Sequence, residues 1–405
     1  AIHVTDAPLA TVVPCGQLGL LAIRALHHVS GVGCALRILG VFVKHNAGRF
    51  GGKAAGKEIE LVIQSTDASP DSAVRAARKL VEQDGLDIVI GPLSGSEGIA
   101  IRDYSKTQPQ TTFINGSSGA QETTFVNPSD NFFRFNSEGA QWSWGLGSYV
   151  YNEKGYETVA TIGEDYSFIY TQVLGFALDY CEAGGEITER FWVPLGTKDF
   201  GSIIAALPDD VDAIYLGLGG GDAVNFLNQY QQAGGDANLI GGTIMVDGTV
   251  LNSKGSAKEA LIGVPSSGPQ ADDWDNPNWQ KFVKAYQDLF EPDQRFPSPS
   301  LVATGYYNGT MAMASCMEQV GGDLSDGQAA FRDCLSSIVL EDAPNGPIKL
   351  DGNRQAIGTN FLTEVVENAL LAANSTSPPL PVGCCCRPLA VARFLVFKLL
   401  STQKC

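Results

Sequence analysis

Two short hydroxyl-rich stretches carry the clearest chemistry in this chain. Ser94-Gly95-Ser96 follows an apolar run, Leu86, Ile88, Val89 and Ile90, that stops at Gly91-Pro92. That pattern predicts a buried parallel strand ending in a turn, with a helix after it. A helix start presents unpaired N–H groups and partial positive charge, and small hydroxyl residues let an anion approach the backbone, so the loop could seat a carboxylate. Ser94 or Ser96 could equally cap the helix, a position Ser favours. Ser117-Ser118-Gly119 repeats the arrangement after a second expected strand, residues 111–114 (TTFI). Two such loops at the C-terminal ends of neighbouring parallel strands face one crevice, where open α/β sheets bind ligands, and that favours a binding role.

A second set lies further along. Tyr166 and Phe168 stand at the exit of a strand expected over 158–162 and could form an aromatic wall against a ligand or pack inside. Gly219 lies in GLGGGD (217–222), which follows a strand and opens a helix as a dinucleotide fingerprint would. Asp222 occupies the third glycine position and would oppose a pyrophosphate, so a tight turn at the crevice is the better reading. Asp247, in VDGTVLNS, is the acid that could pair an α-ammonium, although Asp-Gly is also a strong turn signal. Tyr306 and Tyr307 read as core. Residues 51–57 (GGKAAGK) match most of a phosphate loop, but Glu58 follows and a strand is expected where a helix is needed.

No metal or catalytic set emerges. Cys384-Cys385-Cys386 lacks CxxC spacing, and three of the four histidines lie in the N-terminal flank, so no metal site, cofactor or nucleophile–His arrangement is expected. Cys316 and Cys334 fall on successive expected helices joined by Gly321-Gly322-Asp323. A disulfide between them, with Cα atoms within about 7 Å, would mark an oxidising compartment.

The elements that must position these residues alternate. A strand is expected over 58–64, a helix over 69–84 with Ser69 as cap and Pro70 in its first turn, then the two strands above. A helix over 139–154 and a second βαβ series follow: strands over 158–162, 186–193 and 212–216 alternate with helices over 170–183, 200–207 and 222–232. Helices over 279–290, 301–320 and 327–338, and closing strands over 347–350 and 359–366, complete the chain. The alternation predicts an α/β fold of two doubly wound, Rossmann-like lobes.

Composition bounds the rest. A chain of 405 residues is long for one core, and a net charge of −17 argues against nucleic acid or an anionic membrane as partner. The flanks differ from the middle: 369–405 carries Arg387, Arg393, Lys398 and Lys404 with no acid, and six of nine cysteines lie in 1–40 and 369–405. Neither flank reads as a signal peptide or a spanning helix, and both are expected to add little to the packed core, with Pro378-Pro379 in a linker.

Taken in order, HNAGRFGGKAAGKEIELVIQ (45–64), AARKLVEQDGLDIVIGPLSG (76–95), INGSSGA (114–120), YETVATIGEDYSF (156–168), VPLGTKDF (193–200), DAIYLGLGGGDAV (212–224) and SPSLVATGYYNGTMA (298–312) resemble the branched-chain amino-acid binding protein family, the type I periplasmic solute-binding proteins of ABC transporters. The resemblance covers about 41–368. It implies two lobes joined by three crossovers, near Phe135, Pro269 and Pro347. Lobe one would be 41–135 with 270–346 and lobe two 136–269 with 347–368, leaving 1–40 and 369–405 unassigned. It implies ligand contacts from Ser94-Gly95-Ser96 and Ser117-Ser118-Gly119 in lobe one, and from Phe168, the Gly219 turn and Asp247 in lobe two. It further implies export, a monomer, and delivery of an amino acid or related small carboxylate to membrane permease subunits. Two features depart from the family: nothing in 1–34 reads as its first strand, and Ile169 stands where it usually has Gly. A sensing lobe of the same fold is the alternative function. An enzyme is disfavoured by the incomplete nucleotide motifs.

Overall fold

The computed structural model describes residues 53–58, 62–253, 255–292 and 295–366, with the dipeptides Ala372–Ala373 and Leu380–Pro381. The N-terminal flank, Cys384-Cys385-Cys386 and Pro378-Pro379 lie outside the described residues. The chain divides into two units. Unit one holds the described residues up to Ser137 and Asp275–Gly358; unit two holds Glu138–Trp274 and the described residues from Thr359.

Unit one starts with a hairpin pairing Lys53–Ala54 with Lys57–Glu58. The strand expected over 58–64 does not continue, since 62–64 carry no ladder. An apolar alternation becomes a strand only where a neighbour offers hydrogen bonds. Helix α1 (Pro70–Arg78) begins at Ser69, whose Oγ accepts from the Ser72 N–H at 3.3 Å, with Pro70 in the first turn. Strands β1 (Ile88–Ile90), β2 (Thr112–Ile114) and β3 (Phe132–Phe133) pair in parallel in that order, and helix α2 (Gly95–Ser105) connects the first two. Ala73, Ala77, Leu80, Val89, Ile101 and Phe113 pack between sheet and helices.

Unit two carries the larger sheet. Its strands are β4 (Thr158–Glu164), β5 (Glu186–Val193), β6 (Ala213–Gly217), β7 (Asn238–Gly241) and β8 (Pro265–Gly268), with helices α3 (Ser167–Ala183) and α4 (Gly220–Gln232). The order is β5-β4-β6-β7-β8, all parallel. The order therefore reverses between β4 and β6, a switch point where the loops leaving two adjacent strands diverge to opposite faces. The helix expected over 139–154 is two, Gly139–Ser143 and Leu146–Asn152, because Gly145 takes a left-handed conformation (φ 88°) that interrupts the ladder.

The rest of unit one is helix α5 (Pro277–Leu289), α6 (Leu301–Gln319) and α7 (Ala329–Ser337), then a small antiparallel sheet of β9 (Val339–Leu340), β10 (Ile348–Leu350) and β11 (Ala356–Ile357). The strand expected over 347–350 thus pairs within unit one, and the chain passes to unit two at Thr359 rather than near Pro347. Strand β12 (Thr359–Val365) then closes the larger sheet antiparallel to β8. Ala372–Ala373 and Leu380–Pro381 also pair with β12, so part of the tail expected to add little to the packed core joins the sheet. Cys316 on α6 and Cys334 on α7 form a disulfide, with Cα atoms 5.6 Å apart.

Candidate functional site

In unit one the two serine loops come together as parallel pairing requires, but they do different things. Ser94 caps α2: its Oγ accepts from the Glu97 N–H at 3.3 Å and donates to the Ala68 carbonyl at 3.1 Å, while Glu97 accepts from the Ser94 N–H at 3.0 Å. The Ser94 hydroxyl is therefore spent on the helix. Gly95 opens α2 and Ser96 is half-buried in its first turn.

The loop 115–119 is the richer feature. Ser117 is 5% and Ser118 0% exposed, yet neither hydroxyl has a hydrogen-bond partner. Buried polar groups are rarely left so, and each such group needs a reason. The Ser117 N–H is committed to the Pro92 carbonyl at 3.0 Å, whereas the N–H groups of Ser118 and Gly119 enter none of the loop's hydrogen bonds. The Ser118 carbonyl is held from behind by Asn115 Nδ2 at 3.0 Å and Arg134 Nη1 at 3.3 Å. Gly98 lets α2 lie against this loop, since a Cβ there would meet Ser118 Oγ at 1.9 Å. The loop thus presents unspent donors in a fixed frame.

In unit two the switch point brings the ends of β4 and β6 together. Glu164, 2% exposed, accepts from the Gly219 N–H at 2.9 Å, a bond that places Gly219 at the start of α4. Asp222 is spent on the Gly196 N–H at 2.7 Å. Tyr166 directly precedes α3 and Phe168 lies in its first turn, buried edge-on against Trp142 at 5.2 Å between ring centroids. Tyr166 is half-buried by surface yet enclosed by neighbouring atoms, and burial, with Glu164 and Asp222 nearby, holds its phenol well above the usual range. Ile169 fills the space over Gly163 and Gly217, paired glycines of β4 and β6 whose added Cβ atoms would each lie 2.8 Å from its Cγ2. The missing side chains on the strands make room for the added one on the helix. Asp247 is half-buried and precedes a four-residue helix, Gly248–Leu251, to which its side chain makes no capping bond.

Sequence reasoning missed Glu164, which sits next to the singled-out aromatics, because only the switch-point geometry brings it to Gly219. Burial pushes its carboxyl from 4.5 up to about 8, Asp222 adding to the rise and the Gly219 bond opposing it. The folded chain then holds a proton that the unfolded chain releases, so this group's stabilisation is full below about pH 4.5 and is lost as pH rises through about 8. At about 1.4 kcal/mol per pKa unit, the full loss over this rise is on the order of 5 kcal/mol. Glu164→Gln is expected to flatten that slope, checked by urea denaturation at pH 5 and pH 8; parallel slopes for both proteins would refute it.

A sequence model of the periplasmic binding protein family matches residues 43–369. A Leu/Ile/Val-binding protein homolog 6 from Brucella melitensis is 23% identical over 321 residues, 78% of this chain and 80% of that protein. Among solved structures, a solute binding protein of an ABC transporter from Rhodopseudomonas palustris, in complex with 3,4-dihydroxybenzoic acid, matches with a TM-score of 0.76 at 24% identity, covering 86% of this chain and 93% of its own. The branched-chain amino acid transporter substrate binding protein LivJ from Streptococcus pneumoniae, in complex with isoleucine, matches with a TM-score of 0.71 at 18% identity, covering 86% and 94%. At these identities the structural likeness establishes a shared fold.

Proposed function

We propose a solute for a chain that belongs to the periplasmic binding protein family and serves as the solute-binding component of an ABC importer: a small organic carboxylate, seated on the 115–119 loop of unit one. The observation that carries this reading is the pair of buried hydroxyls, Ser117 and Ser118, without partners, beside the unspent N–H groups of Ser118 and Gly119. A carboxylate accepts several hydrogen bonds, and bonds to an ionised acceptor are about twice as strong as neutral ones. Gly95 and Ser96 at the start of α2 add a helix dipole of the right sign.

In unit two, Tyr166, Phe168, Gly219 and Asp247 are the residues assigned to solute, Asp247 being the acid assigned to an α-ammonium. An amino acid and an aromatic acid are both chemically suited, and both chemistries occur among the structures this chain resembles. The chain works as a monomeric, extracytoplasmic, non-enzymatic receptor that passes solute to permease subunits, without a cofactor or nucleic acid. Its lobes are the two units.

Calorimetric titration with leucine, phenylalanine and benzoate tests the reading. Ser117→Ala combined with Ser118→Ala is expected to weaken the bound probe by roughly a hundredfold or more, since two charge-assisted hydrogen bonds are lost at about 1.5–3 kcal/mol each. Retained affinity in a folded double variant would remove the seat. Benzoate binding without amino-acid binding would remove the role given to Asp247.

A further inference from the structure

Tyr306, one turn inside α6, was expected as core, and its ring is indeed 1% exposed. Its hydroxyl does not behave as a core group. The ring lies over Gly116 so closely that a Cβ there would meet Cζ at 2.3 Å and the hydroxyl oxygen at 2.6 Å. The adjacent residue on α6, Gly305, brings that helix against Ser117, whose Cβ would lie 3.4 Å from an added Cβ. Helix α6 therefore delivers a phenol to the same loop that holds Ser117 and Ser118. Among the described residues this hydroxyl enters no side-chain hydrogen bond, although tyrosine hydroxyls in such packing usually find a partner. A phenol and two buried hydroxyls without partners, those of Ser117 and Ser118, converge on one five-residue loop.

We propose that Tyr306 is a specificity-determining residue of the seat, its hydroxyl donating to the solute's carboxylate beside Ser117, an inference that rests on the carboxylate reading above. Burial, with a smaller contribution from nearby Glu97, holds the phenol far above its usual range, so it stays protonated and can only donate or accept as a neutral hydroxyl. A neutral donor placed against a carboxylate discriminates by charge. An isosteric amide presents one acceptor oxygen in place of two and no charge to strengthen the bond.

The test titrates leucine, benzoate and their amides, leucinamide and benzamide, into the wild-type chain, Tyr306→Phe and the Ser117→Ala, Ser118→Ala double variant. Tyr306→Phe keeps the ring over Gly116 and is expected to bind the acid roughly tenfold to a hundredfold more weakly, with its thermal midpoint unchanged and its preference for acid over amide reduced. Unchanged acid affinity in Tyr306→Phe, with binding lost in the double variant, overturns this proposal and leaves the seat standing. Unchanged affinity in both variants overturns the seat as well, as does a wild-type chain that binds neither acid. A Tyr306→Phe chain that fails to fold by circular dichroism would assign the hydroxyl to stability and overturn the proposal.

Discussion

Arg134→Met is expected to destabilise unit one by about 3–5 kcal/mol and to weaken solute binding with it. The guanidinium is fully buried. It donates to the Ala120 carbonyl at 2.7 Å, the Ser118 carbonyl at 3.3 Å, Gln355 Oε1 at 2.5 Å and the Thr124 hydroxyl. Gln355 in turn donates to the Asn136 carbonyl at 3.0 Å, so one side chain ties the seat loop to strand β3 and to the chain entering β11. Replacing it with an apolar group of similar length keeps the volume but removes four hydrogen bonds from a buried charged donor, worth about 1.5–3 kcal/mol each before relaxation. The Ser118 and Ala120 carbonyls and Gln355 Oε1 then keep Asn115 Nδ2, the Thr123 N–H and the Thr124 hydroxyl as donors. Arg134→Lys retains the charge but not the planar fork, and is expected to restore only part of the loss. Urea denaturation of the three proteins measures the effect, and a loss under about 1 kcal/mol would show that the loop holds itself.

Removing the Cys316–Cys334 bridge ranks next. The two residues are 18 apart in sequence, and a closed loop of that size is worth about 3 kcal/mol in restricted unfolded-state freedom. Both cysteines are buried in the core shared by α6, α7 and the small antiparallel sheet, so replacing both by Ala also leaves small voids. The double Ala variant is expected to unfold roughly 6–12 °C below the wild type, given about 2–4 °C per kcal/mol for a unit of this size. An unchanged melting temperature under oxidising conditions would show that the bridge contributes nothing measurable. Because α6 also carries Tyr306, the variant is expected to bind solute more weakly near its melting range than well below it.

The sequence by itself determined the alternation. Apolar runs ending at Gly or Pro placed β1, β2, β4 and β6, and Ser69-Pro70 placed the start of α1, because these signals act within a few residues of themselves. The order of the strands, and so the meeting of loops at 94–96 and 115–119, followed from the rule that consecutive βαβ strands pair in parallel. Other features could only be decided in three dimensions. Helix 139–154 breaks at Gly145 because a left-handed glycine ends the ladder whatever the apolar pattern on either side. Residues 62–64 form no strand because a strand is defined by its neighbour and not by its own side chains. Ser94 and Ser118 look alike in the sequence, yet one hydroxyl is spent on a helix cap and a carbonyl while the other is buried without a partner. Tyr306 lies almost two hundred residues from Gly116. Only the packing of α6 against the 115–119 loop, allowed by the missing side chains of Gly116 and Gly305, turns a tyrosine that reads as core into a donor at the seat.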